Sequence, residues 1–127
     1  MPQESDATSE NYDRFIERVA ETEVVWGLVS DFSGWAHCES DEDEAIEVIL
    51  FWSDRADAEQ HRKEEWADHV PTKIDFDEFI EAWLNGMAED GLLAGPNWDA
   101  DLNGFEVDPK ELADRLLAEN ERIRESE

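Results

Sequence analysis

The stretch Ala45-Ile46-Glu47-Val48-Ile49-Leu50-Phe51-Trp52-Ser53-Asp54 decides how this chain is read. Apart from Glu47, residues 45–52 are apolar, and β-branched and aromatic side chains dominate. So short and continuous a run predicts a strand buried on both faces. Ser53 then supplies a helix cap, with Asp54 and Asp57 in a first turn where the helix dipole favours anions. The helix is predicted to reach about Trp66 and to be closed by Val70-Pro71.

Upstream of this junction, Ser9 caps a helix whose apolar positions Tyr12, Phe15, Ile16 and Val19 follow helical spacing. Val24-Val25-Trp26-Gly27-Leu28-Val29 changes period and predicts a strand. Asp31-Phe32-Ser33-Gly34 has turn chemistry, so residues 35–39 return as the second arm of a hairpin. Downstream, Asp75 and Glu78 have capping-box spacing, ahead of a helix face built from Phe76, Phe79, Ile80, Trp83, Leu84 and Met87. Gly91 ends that helix. Short strands follow at Leu92-Leu93-Ala94 and Phe105-Glu106-Val107. Asp108-Pro109 opens a last helix striped by Leu112, Leu116, Leu117 and Ile123.

This order is neither a repeat nor an alternation of strand and helix. It predicts an α+β fold, with a mostly antiparallel sheet of about five short strands and about four packed helices. A single domain over residues 9–124 is expected, with flexible ends at 1–8 and 125–127.

The charge is the other dominant feature. The 127 residues include 36 Asp plus Glu against 10 Lys plus Arg, a formal net charge of -26. Hydrophobic residues still make up 40% of the chain, which is enough for a core and disfavours disorder. The only lysines are Lys63, Lys73 and Lys110. An acidic, lysine-poor surface suits a high-salt cytoplasm, because at about 1 M salt the Debye length is only about 3 Å and self-repulsion is screened. No apolar run approaches the roughly 18 residues of a membrane span, and the first residues are neither basic nor apolar. A cytoplasmic chain without membrane contact is expected.

Chemical motifs are scarce. Asp99-x-Asp101-x-Asn103-Gly104 resembles the first half of a calcium loop, but Lys110 stands where a bidentate Glu should close the shell. A turn between strands explains those residues better, and no metal or other cofactor is expected. His61 and Glu65 have metal-compatible spacing, yet neither His37 nor His69 is placed beside them by sequence. Cys38 is the sole cysteine and reads as a small hydrophobe. Serines Ser30, Ser33 and Ser53 sit beside turns or caps without a nucleophile elbow, and no phosphate-binding glycine loop occurs. With so many carboxylates, no pair is singled out as acid and base, and no catalytic residue is assigned.

Six tryptophans remain: Trp26, Trp35, Trp52, Trp66, Trp83 and Trp98. Most should be core. Trp98, set among Pro96, Asn97 and Asp99, has the strongest claim of the six to exposure and is the first choice as a partner anchor, while the preferred reading is that it folds back over the sheet. Direct nucleic-acid binding is excluded by the missing basic stripe.

Taken together, Arg14 to Thr22 with Val25-Trp26-Gly27-Leu28, Gly34-Trp35-Ala36, Leu50-Phe51-Trp52-Ser53-Asp54, Phe79-Ile80-Glu81-Ala82-Trp83-Leu84 and Val107-Asp108-Pro109 resemble a bacterial family known as domain of unknown function 2750. The likeness covers about residues 11–118. A fainter similarity is to SseB-type N-terminal domains. The first resemblance implies the same element order and no established activity, cofactor or catalytic residue. The expected function is therefore a non-catalytic interaction or accessory, immunity-type protein with a basic-surfaced protein partner. The alternatives are a carboxylate-based enzyme and an acidic mimic of nucleic acid.

Overall fold

The computed structural model describes residues 3–31, 34–40, 45–63, 66–98 and 104–126, with side chains from residue 10 onward. Among them are helices α1 (Gln3–Thr22), α2 (Arg55–Glu59), α3 (residues 76–90) and α4 (Pro109–Ser126). The strands are β1 (Val24–Ser30), β2 (Gly34–Trp35), β3 (His37–Glu39), β4 (Glu47–Phe51), β5 (Val70–Asp75) and β6 (Leu93–Pro96). The class is α+β, as the element order predicts.

The strands divide between two three-stranded sheets, ordered β2-β1-β5 and β3-β4-β6. All pairings are antiparallel except β4 with β6. The expected hairpin is real, with Val29 opposite Trp35, but its second arm breaks at Ala36 and changes sheets. Ala36 N–H donates to Leu28 O at 2.8 Å, while its carbonyl accepts from Leu50 N at 3.2 Å. A reciprocal pair of 2.8 Å bonds between Trp26 and Trp52 makes a second stitch between the sheets. The strands thus form two small sheets stitched at Ala36 and at the Trp26–Trp52 pair, where one sheet was expected.

Strand β4 is buried on both sides, as its composition predicts. Val48, Leu50 and Trp52 enter a core cluster with Leu28, Ala36 and Trp98. Phe51 enters the larger cluster beneath α1, α3 and α4, and Ile49 packs against that cluster's edge.

Several local expectations are corrected. α1 starts at Gln3 rather than after Ser9. α2 stops at Glu59 instead of continuing to Trp66, because His61 turns inward and buries its ring on Trp52. Asp54, not Ser53, occupies the cap position of α2, and Ser53 is engaged elsewhere. Val70-Pro71 begins β5 rather than closing a helix. β5 is an edge strand, where a proline without an N–H is tolerated. Asp75 precedes α3 but makes no side-chain cap bond. Leu117 is 46% exposed and lies off the buried stripe.

Helix α3 carries an irregularity that no periodicity announced. Phe76–Glu78 and Asn85–Asp90 are α-helical, but Phe79–Leu84 is a π segment. Widening the turn to i→i+5 brings Phe79 and Leu84 onto one buried face. Ile80 and Trp83 are displaced to its half-buried flanks. At the junction, Asn85 Nδ2 donates to Glu81 O at 2.8 Å. Gly91, with φ 74°, then ends the helix as expected.

The long helices are tied at several points, among them Arg115 with Asp13 at 3.6 Å and Asn120 Nδ2 donating to Ala20 O at 2.8 Å. Glu23, at φ 62°, joins α1 to β1 in the left-handed region. Its carboxylate accepts from Arg124 at 2.9 Å and from Asn120 at 3.0 Å. The Arg124 bond, then the Asn120 bond, hold its pKa below the usual glutamate value. On α4, Asp108 caps the first turn by accepting from Lys110 N–H at 2.8 Å.

Candidate functional site

Two regions flank β4 and contrast in chemistry. The first is a polar hub at the carboxyl ends of the parallel pair β4 and β6. Asn97 closes β6 with its backbone at φ 50°, its N–H donating to Phe51 O at 2.8 Å. The side-chain oxygen accepts from Ser53 N–H at 2.9 Å. Its Nδ2 donates to Ser53 Oγ at 3.0 Å and to Asn11 O on α1 at 3.2 Å. One buried amide therefore fastens the end of β6 to the β4–α2 junction and to α1.

Trp98 follows directly. It is 6% exposed, in line with the preferred expectation that it folds back and against the exposed alternative. Its indole lies against Gly95 and Gly104, where any Cβ would collide with the ring. Trp98 Nε1 donates to Phe105 O at 2.9 Å, and its carbonyl accepts from Trp52 Nε1 at 3.3 Å. His61, buried rather than solvated, stacks on Trp52 with centroids 4.6 Å apart, and its Nδ1 bonds Asp57 O at 2.8 Å. Ion pairs Arg14–Asp57 at 3.1 Å and Arg18–Asp54 at 2.5 Å clasp α2 to α1 over a cavity of about 150 Å³. The buried polar side chains of the hub bond one another and the backbone, so its chemistry is that of a fastening.

The second region is an open apolar groove beside α3. Ile49, Trp83, Met87 and Leu92 line a hollow of about 350 Å³ with Ala82, Gly86 and Asp90. Trp83 is held edge-on by Trp35 at 4.6 Å and by Phe51 at 5.8 Å. Strand register extends this surface. Glu47 and Ile49 are two apart on β4, and their partners Glu39 and His37 point to the same side. The groove thus opens onto a sheet face carrying a directly opposed Glu39–Glu47 pair. A further hollow of about 290 Å³, between α3 and α4, includes Lys110 with Leu84 and Leu117.

The remaining sequence candidates scatter. His37 is exposed and His69 is buried, the latter with its Nδ1 3.1 Å from Asp68. Glu65 and the loop residues Asp99, Asp101 and Asn103 lie outside the described residues. Among the described residues, no group of three or more His, Cys, Asp or Glu side chains is placed to hold a metal ion. Cys38 is half-buried against the cluster containing Trp98. One buried side-chain polar atom among the described residues has no hydrogen-bond partner, the Tyr12 hydroxyl. Burial raises the Tyr12 pKa, opposed by the Arg115 guanidinium, which stands 4.7 Å from the ring centroid.

The molecule is a small α+β domain with a closed polar hub and an open groove. The family model described as "Protein of unknown function (DUF2750)" matches residues 12–116, and the chain belongs to that family. No curated protein and no solved structure matches it. No helix among the described residues is long and apolar enough to cross a membrane.

Proposed function

We propose that this protein is a non-catalytic interaction domain, an accessory or immunity-type partner of a protein with a basic surface, working in a high-salt cytoplasm. The observation that carries the reading is the contrast between the two regions. The hub's buried polar groups are bonded internally, whereas the groove leaves half-buried Trp83 and Ile49 open beside carboxylates. Interface cores are typically aromatic and apolar within a polar rim, and a net charge of -26 draws in a positively charged partner while repelling nucleic acid.

Cross-linking and affinity capture from cells that express the chain naturally test the reading. A reproducible protein partner with a basic surface is expected, and its yield should fall when Glu39, Glu47 and Asp90 are changed together to Lys. No reproducible partner would sink the reading. The salt reading has its own test. Thermal unfolding should move upward by more than about 10 °C between dilute buffer and about 1 M KCl, as self-repulsion is screened. A flat response would remove the high-salt cytoplasm from the proposal.

A further inference from the structure

We infer that the groove beside α3 is the seat for one basic amphipathic helix of the partner, packed along α3 with a lysine or arginine drawn between Glu39 and Glu47. The inference rests on the interaction reading above and names its surface and occupant.

Three observations converge on a helix. First, α3 walls the groove with Ala82 from the π segment and with Gly86 and Asp90, four apart in the α-helical stretch Asn85–Asp90. Such i, i+4 rows are the ridges against which a second helix packs. Gly86 has open space where its Cβ would stand, so an incoming helix can approach closely there. Second, the π segment displaces Trp83 to the flank of α3, where it forms the floor with Ile49, Met87 and Leu92. That floor offers apolar contacts at the spacing of an amphipathic helix's anchors. Third, the strand edges suit strand addition poorly. β5 carries Pro71 and Lys73 on its edge, β2 has two residues, β3 has three, and β6 has its outer side bridged by Val107 and ends at Pro96.

Charge fixes the sign of the occupant. Glu39 and Glu47 are direct cross-strand partners, an arrangement of like charges that opposes sheet pairing. A cation set between them relieves that repulsion. Glu47 precedes Ile49 by two residues, roughly 7 Å along the strand, so a side chain leaving the groove reaches the pair. Asp90 adds a third carboxylate, in the lining of the groove on α3. The hollow between α3 and α4 sets Lys110 beside Glu81 and Asp114, so a cation entering it meets a like charge that the groove's lining lacks.

The probe is an 18-residue amphipathic peptide of Leu, Ala and Lys, titrated into the isotope-labelled full chain and followed by NMR and calorimetry. Resonance shifts should concentrate at Ile49, Trp83, Met87 and Leu92. Gly86→Leu fills the groove from a position with room for it and should raise Kd at least about tenfold, with the rest of the spectrum unchanged. Ala82→Gln, on the exposed wall, is the second blocking variant should the first disturb the fold. The pair Glu39→Gln and Glu47→Gln should raise Kd about threefold or more at low salt and flatten its salt dependence. Absence of peptide binding, shifts that map to the α3–α4 hollow, or an unchanged Kd in a folded blocking variant overturns the inference. The two levels of the proposal separate cleanly. A natural partner captured equally by wild type and Gly86→Leu overturns this seat but keeps the interaction. No partner captured by either overturns the interaction itself.

Discussion

The hub and the groove share one strand and use its two faces in opposite ways. Leu50 and Trp52 look toward the hub, where Asn97, Ser53 and the indoles of Trp52 and Trp98 all find partners. Ile49 looks toward the groove, where apolar side chains stand half open. The difference teaches where each kind of interaction is useful. A buried polar group left unbonded costs about 1–3 kcal/mol, so a complete network defines one geometry and resists change. Half-buried apolar surface contributes less to folding and keeps part of its hydrophobic free energy for association.

The sharpest break in that contrast is Trp98→Ala. The ring fills a slot between Gly95 and Gly104, so truncation leaves a cavity and removes the bonded indole nitrogen. A loss of about 3–5 kcal/mol is expected in urea unfolding. A loss below about 1 kcal/mol would show that the slot collapses freely and that the hub is not the stiff half of the molecule.

Next comes Asn97. Asn97→Ala deletes three side-chain bonds, puts at φ 50° a residue that tolerates the left-handed region less well than asparagine, and should cost about 2–3 kcal/mol. Asn97→Gly keeps the backbone geometry accessible while deleting the same bonds. Gly less harmful than Ala would assign part of the effect to the left-handed backbone. Equal losses would assign all of it to the amide.

On the other side of β4, Trp83→Ala should cost only about 1–2 kcal/mol in stability, from two edge-on ring contacts and partial burial. Partner affinity should fall more steeply than stability. A stability loss as large as that of Trp98→Ala would erase the distinction between the two regions.

How much of this was legible in the sequence depends on how local the cause is. β4 announced itself because residues buried on both faces need a continuous apolar run. α4 and the end of α3 were legible because Asp108-Pro109 and Gly91 act through their own backbone neighbours. β5 was hidden because Val70-Pro71 read as a helix stop, and only the edge position next to β1 accommodates the proline. The seat of Trp98 was not legible, because its flanks are polar and the slot that receives the ring comes from Gly95 and Gly104 on separate segments. The π segment escaped because apolar residues at 79, 80, 83 and 84 fit a regular helix equally well. Charge told even less about place. Thirty-six carboxylates carry no sign of which two stand opposed across β3 and β4 until register is known.

The smallest expected effect is also the one with the opposite sign. Gly86 sits in an α-helical stretch of α3 with no atom within 4 Å of where its Cβ would be. Replacing glycine inside a helix by leucine removes backbone freedom from the unfolded chain and should stabilise by up to about 1 kcal/mol. A hub residue such as Asn97 behaves the other way, because its loss breaks a bonded network. If Gly86→Leu raises the Tm by a few degrees while blocking the groove, stability and binding are separable on the two faces of β4. If it instead lowers the Tm, the groove is narrower than its open lining indicates, and the division between a fastened face and a free one has to be redrawn.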